Sequence, residues 1–246
     1  MLKAQSRVSG IDVGIMLLDN RLPRPRGDVV NARTFDFPIA YEAIADAHTT
    51  RVVEQSATGL LDNAMAAGRR LVALGVRAVS TCCGFLAIYQ RELAAGLDVP
   101  VATSSLLQVP LVLQMLRPDQ KVAILTVNGS TLTNDHLHAV GIEKDQLDRV
   151  VTIGLENTTH FYPMIVGKHD ELDVGRACDE VLAAAKDAVA QHNSIGAFVF
   201  ECTNLPPYAG AVREATGRPV WDATTLIRWL QAGASTVDEF GTRTSR

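Results

Sequence analysis

The stretch RAVSTCCGF (77–85) decides how this chain folds, because GAFVFECTN (196–204) repeats its plan 119 positions later. Each is a short apolar run that ends in a cysteine followed by small or polar residues: Gly84 and Phe85 after Cys83, Thr203 and Asn204 after Cys202. With no gap, the same shift brings Ala78 onto Ala197, Pro100 onto Pro219, Val101 onto Val220, Ser105 onto Thr224 and Leu107 onto Leu226. A shift of 109 lays VGIMLLDN (13–20) over VAILTVNG (122–129). The chain therefore reads as two copies of one unit, each with a first strand ending in polar residues and a later strand ending in a cysteine.

Working outward, further apolar runs lie at 99–104, 149–155 and 218–223, besides those at 13–18, 77–82, 121–127 and 196–202. Their continuous Val, Ile and Ala content suits strands buried on both faces, as in a parallel sheet. Helical spacing separates them. From 58 to 73, Leu60, Leu61, Ala64, Met65, Leu71 and Val72 share a face, and an Ala-rich pattern runs from 174 to 192. Strand, helix, strand repetition predicts an α/β protein of two pseudo-symmetric doubly wound lobes, each a mostly parallel sheet flanked by helices, with the active site in the cleft between them. We expect residues 1–118 in the first lobe and 119–219 in the second, with the segment from about 220 to 246 crossing back to the first.

The 246 residues are 47% hydrophobic, 20% charged and 5% aromatic, and 23 Lys and Arg against 27 Asp and Glu leave a formal charge of -4. This composition excludes collagen-like, disordered and disulfide-scaffold classes. Its mild acidity argues against nucleic acid or an anionic membrane as the main partner. No run approaches a membrane span and no signal-peptide pattern opens the chain, so the expected compartment is the cytoplasm, where thiols stay reduced. Neither a phosphate-binding G-x-x-x-x-G-K-[ST] nor a dinucleotide-binding glycine pattern is present, so no cofactor is expected. The expected partner is a small molecule, a carboxylate or amino acid; a homo-oligomer is compatible with the sequence.

The four cysteines divide unequally. They are too few for a disulfide framework, and none forms a C-x-x-C pair. Cys178 falls inside the Ala-rich helix and Cys82 beside a strand end, where packing explains both. Cys83 and Cys202 both fall at the carboxyl end of a strand, where open α/β sheets bind ligands. A helix starting just beyond each would offer free N–H groups that favour a thiolate and an anionic ligand.

These motifs resemble the aspartate/glutamate/hydantoin racemase superfamily, which works without pyridoxal phosphate. STCCGF (80–85) and ECTNLP (201–206) resemble its two cysteine motifs, and GIMLLDNRLPRPRGD (14–28) resembles its first strand and loop; the likeness runs from about 11 to 230. The resemblance implies a two-base isomerase: one cysteine removes the α-proton of an amino acid or related carboxylate, and the other returns a proton to the opposite face. Cys83 and Cys202 take these roles by position. Thr203 matches the residue whose hydroxyl and amide hold the substrate carboxylate. Asp19 and Asn20 stand where glutamate racemases carry an Asp-Ser pair. Those enzymes read Cys-Asn-Thr and Cys-Thr-His where this chain has Cys83-Gly84-Phe85 and Cys202-Thr203-Asn204, so glutamate itself is not implied.

Gly84, Phe85, Ser104, Thr126, Asn128, Thr203 and Asn204 complete the expected binding set, with Ser105 a further strand-end donor. Arg21, Arg24, Arg26 and Arg33 in the 20–34 loop are either carboxylate-binding arginines of a lid or a solvated surface. Asp135, His136 and His138 have poor spacing for a shared metal. Glu201 precedes Cys202 on a strand and is expected to point away from it, either in a structural role or supporting the site from behind the residues that meet the ligand. Two rivals share the scaffold. One is a relative with different chemistry, such as a hydantoin racemase, a maleate isomerase or an arylmalonate decarboxylase; the other is a non-catalytic two-lobed binder. The tail 235–246 is polar and expected to fray.

Overall fold

Two separate four-stranded sheets, parallel at every pairing, organise the computed structural model, which describes residues 8–235. The first holds β1 (Val13–Leu17), β2 (Ile39–Ala43), β3 (Ala78–Thr81) and β4 (Val101–Ala102) in the order β2-β1-β3-β4. The second holds β5 (Lys121–Thr126), β6 (Val150–Gly154), β7 (Ile195–Phe200) and β8 (Val220–Trp221) in the order β6-β5-β7-β8. Each strand of one sheet has its counterpart four strands later, so the repeat read from the cysteines is a repeat of topology. All four residues of β3 and all six of β7 are buried, as strands with helices on both faces must be.

The helices of the first half are α1 (Thr49–Val53), α2 (Leu61–Leu74), α3 (Gln90–Gly96) and α4 (Val109–Met115). Those of the second are α5 (Asn134–Ala139), α6 (Phe161–Ile165), α7 (Val174–Gln191), α8 (Ala209–Thr216) and α9 (Ala223–Ala234). In α2, Ala64, Ala67, Gly68 and Leu71 form the buried face, and Gly75 closes the helix at φ 114° with its N–H on the Leu71 and Val72 carbonyls. It starts later than its apolar spacing predicts, because Ser56, Ala57 and Gly59 all have positive φ and turn the chain first. Asp173 caps α7, which buries Ala177, Val181, Ala185 and Ala188.

Two features depart from the sequence reading. β2 has no continuous apolar run: it is an edge strand with one buried residue, and Glu42 faces Arg70 across 2.6 Å. Val220 and Trp221 pair with β7, so they belong to the second sheet, and the crossing begins only at Asp222, which caps α9. From there α9 packs against β1, β3 and β4, and Gln108 of the first half donates to the Asp222 carbonyl at 3.0 Å. The tail 236–246 lies outside the described residues, among which no helix is long and apolar enough to cross a membrane.

Candidate active site

β3 and β7 stop at Thr81 and Phe200, and the chain beyond each strand end builds the site. Cys83, extended at φ −149° and ψ 118°, precedes a 3-10 helix at Gly84–Tyr89 that runs directly into α3. After β7, Leu205 donates its N–H to the Cys202 carbonyl at 3.1 Å, closing a tight turn. Local geometry then repeats. The Phe85 amide donates to the Cys83 sulfur and the Asn204 amide to the Cys202 sulfur, two residues on in each case. The two thiols thus occupy equivalent positions on opposite lobes and line the same small cavity, about 20 Å³ in volume. That is room for a single water.

One wall of the cavity comes from the 20–34 loop. Arg24 lies half-buried there, with Nη1 at 3.2 Å from Asp28 and Nη2 donating to Asn20 Oδ1 at 2.8 Å. Arg21, Arg26 and Arg33 are exposed and do not line it. Asp28 is fully buried; it accepts from Val30 N at 2.8 Å and, across the cleft, from Asn204 Nδ2 at 2.6 Å. Burial pushes its carboxyl up, and the Arg24 guanidinium opposes that. With its amide nitrogen held by Asp28, Asn204 turns Oδ1 toward Cys202, whose thiol donates to it at 3.7 Å.

Their surroundings disfavour ionisation of both thiols. Burial pushes both Cys83 and Cys202 up, the Glu201 carboxyl adds to it, and the amide donors only partly oppose this. The N–H donors expected beyond each cysteine are present at Phe85 and Asn204, and desolvation opposes them at both thiols. Glu201 lies in the same wall, fully buried, its Oε2 accepting from Thr126 Oγ1 at 2.7 Å and its Oε1 without a partner. Burial raises its carboxyl to about 7.

Of the residues singled out in the sequence, Asn20, Cys83, Gly84, Phe85, Cys202, Thr203 and Asn204 come together around the cavity. Asp19 does not; its carboxylate is largely exposed, 3.9 Å from His48. Ser104 accepts from Leu106 N and so caps a 3-10 helix, and Ser105 donates to the Phe200 carbonyl. Asn128 turns its Oδ1 onto Ser130 and Thr131, and Thr126 is taken by Glu201. The Thr203 hydroxyl donates to the Cys82 carbonyl across the cleft, leaving only its amide for a ligand. Cys82, placed in the packing by sequence, does accept from Leu18 N at 3.1 Å, yet it also touches the cavity. Glu201 lines the cavity as well. Strand alternation predicts that it points away, but β7 ends at Phe200 and the alternation ends with it.

Among the described residues no group of three His, Cys, Asp or Glu side chains could hold a metal ion. His136 is buried with Nδ1 on Thr133, and His138 bonds the Ile142 carbonyl.

No protein-family model matches the chain. It is 30% identical over 250 residues to dimethylsulfoniopropionate lyase 5 of Emiliania huxleyi (strain CCMP1516), covering 93% of this chain and 46% of that protein. Over 241 residues it is 30% identical to dimethylsulfoniopropionate lyase 3 of the same strain, covering 93% and 61%. To the dimethylsulfoniopropionate lyase of Durusdinium sp. clade D it is 29% identical, covering 93% and 77%. The chain thus spans about half to three-fifths of the length of the two Emiliania relatives. Among solved structures it resembles arylmalonate decarboxylase (TM-score 0.55, 15% identity, 93% of this chain and 97% of the other). It also resembles Picrophilus torridus aspartate racemase (TM-score 0.54, 15% identity, 92% and 94%) and Francisella tularensis glutamate racemase in complex with D-glutamate (TM-score 0.55, 14% identity, 97% and 86%).

Proposed function

We propose that this chain, which has the two-lobed fold of the aspartate/glutamate/hydantoin racemase superfamily, is a lyase that removes the proton next to a carboxylate and expels a β-sulfonium group, with dimethylsulfoniopropionate as substrate. The observation that carries the reading is the Cys83 thiol lining the same cavity as Arg24, a base and a carboxylate-binding cation at one site. The sequence relatives favour elimination over racemisation as the outcome.

The chemistry needs one base and no acid. A thiolate takes the α-proton and becomes a thiol. The electron pair left on the α-carbon forms the carbon–carbon double bond, and the β-carbon–sulfur bond breaks, releasing neutral dimethyl sulfide and acrylate. The geometry favours Cys83 as the base: both sulfurs accept an amide N–H, but Cys202 is also held as a hydrogen donor toward Asn204 Oδ1. Negative charge moves onto the substrate carboxylate as the proton leaves. Arg24 and the amides of Gly84 and Thr203 are the groups assigned to receive it, a preorganised cradle of the kind that carries much of the rate in such reactions. A water-sized cavity is too small for this substrate, so binding requires the 20–34 loop and the lobes to part.

Racemisation remains the second reading, favoured by the equivalence of the two thiols and their amide donors, which suits proton transfer on both faces of one carbon. One experiment separates them. Proton NMR in heavy water, with dimethylsulfoniopropionate and separately with the D and L forms of aspartate and glutamate, should show acrylate vinyl signals from the first. Loss of an α-proton signal, with the opposite enantiomer detected by circular dichroism of the same sample, would support racemisation instead. No change in any sample overturns both.

A further inference from the structure

Glu201 is a carboxyl group sealed between two lobes, with no counter-ion among the described residues, at the junction where both thiols sit. It is 0% exposed; one oxygen accepts from Thr126 and the other, Oε1, has no partner. An unpaired buried oxygen costs stability unless the group is neutral or has work to do. Oε1 lies against Gly84, so closely that a Cβ at that position would collide with it and with the Glu201 carbonyl. The residue after Cys83 is thus a glycine because Glu201 presses on it. Through that contact the carboxyl reaches the Cys83 turn from the other lobe.

We propose that Glu201 is the proton acceptor that turns Cys83 into a thiolate. The Cys83 S–H bond breaks and an O–H bond forms on Glu201 Oε1, the proton passing by way of the one water that the cavity has room for, since no direct hydrogen bond joins the two groups; nothing is oxidised or reduced, and the site keeps a single negative charge. This deepens the lyase reading and rests on it only for the use to which the thiolate is put. Other titratable and charged groups around the cavity are the Cys82 and Cys202 thiols and the Arg24–Asp28 pair from the 20–34 loop, with His136 of α5 edge-on to Phe85 behind them. Burial pushes all three thiols up and His136 down, so these stay neutral near pH 7, and Arg24 is balanced by Asp28. Glu201, raised to about 7, changes its charge there; burial raises the Asp28 carboxyl too, against the Arg24 guanidinium. Each turnover leaves one proton on Glu201 and the α-proton on the Cys83 sulfur; the carboxyl proton goes to solvent when the lobes part, and the freed carboxylate takes the thiol proton in the next cycle.

The competing role is a bystander charge. A fixed carboxylate beside a thiol disfavours the thiolate, so removing it would speed thiol chemistry. Acceptor and bystander therefore predict opposite signs. The test follows iodoacetamide alkylation of Cys83 from pH 5 to 9.5, located by fragmentation mass spectrometry, in the wild-type chain, Glu201→Gln and Thr126→Val. In the wild type, labelling should rise through an inflection near pH 7. In Glu201→Gln the inflection should vanish and labelling at pH 7.5 should fall at least tenfold. Thr126→Val removes the hydrogen bond that favours the ionised carboxylate, so the inflection should move to higher pH; this arm decides the matter if Glu201→Gln fails to fold. Glu201→Gln labelling as fast as wild type or faster, or an unmoved inflection in Thr126→Val, overturns the proposal. Labelling needs no substrate, so the expected profile without acrylate production would sink the lyase reading alone.

Discussion

Glu201 also leaves a thermodynamic signature. Its carboxyl is raised from the usual 4.5 to about 7 in the folded chain. Folded protein therefore holds a proton that the unfolded chain releases. The stabilisation is fully present below pH 4.5, declines as pH rises through that window, and is gone above 7. For a fully buried group the change amounts to roughly 3 kcal/mol. Urea denaturation of wild type and Glu201→Gln should give stabilities whose difference shifts by that order between pH 4.5 and 8, in favour of the glutamine at the higher pH. A shift below about 1 kcal/mol contradicts the buried, ionisable carboxyl. Arg24 makes a separate residue-scale prediction. If its guanidinium binds the carboxylate, Arg24→Lys loses the planar fork that now bridges Asn20 and Asp28, and should raise KM about tenfold or more in steady-state kinetics. An unchanged KM would return Arg24 to a purely structural role. Individual residues were unevenly legible. The cysteine pair stood out by register alone. Ser104, Thr126 and Asn128 were chosen for lying at strand ends, but short polar side chains there are as ready to cap the next turn as to meet a ligand, and that choice depends on contacts the sequence does not display.

Elements position these residues through close approaches that leave no room for adjustment. α2 lies so tightly on β1 that a Cβ on Gly14 would meet Leu71 Cδ2 at 2.9 Å and its Cβ at 3.2 Å. Gly14→Ala should destabilise the chain by about 1–3 kcal/mol, measured by chemical denaturation, because Leu71 is only 2% exposed and has nowhere to move. A neutral result would mean that α2 slides freely on the sheet. Gly84→Ala is the harsher version, since its methyl group meets backbone of the other lobe as well as the Glu201 side chain. It should cut kcat at least tenfold even where the fold survives, and wild-type turnover would show that the Cys83 turn tolerates displacement. Elements with continuous apolar runs or clear helical spacing were readable in advance, β7 and α7 above all. β2 was not, because an edge strand with one buried residue has no hydrophobic signature to read.

At the scale of the molecule, two copies of one topology face each other, and the C-terminal helix α9 ties them by leaving the second sheet to pack on the first. Duplication explains why the two thiols are equivalent in place; their neighbours differ. Cys202 has an acceptor in Asn204, while the Cys83 turn carries Glu201 against its next residue. A symmetrical two-base racemase would need both sulfurs about equally, whereas elimination of a neutral sulfide needs one base. The most direct test is acrylate formation from dimethylsulfoniopropionate by wild type, Cys83→Ser and Cys202→Ser at pH 7.5 to 8. The account predicts steady release by the wild type, a loss of at least a thousandfold in Cys83→Ser and a smaller loss in Cys202→Ser. A Cys83→Ser chain that is folded and stays within tenfold of wild-type activity contradicts it.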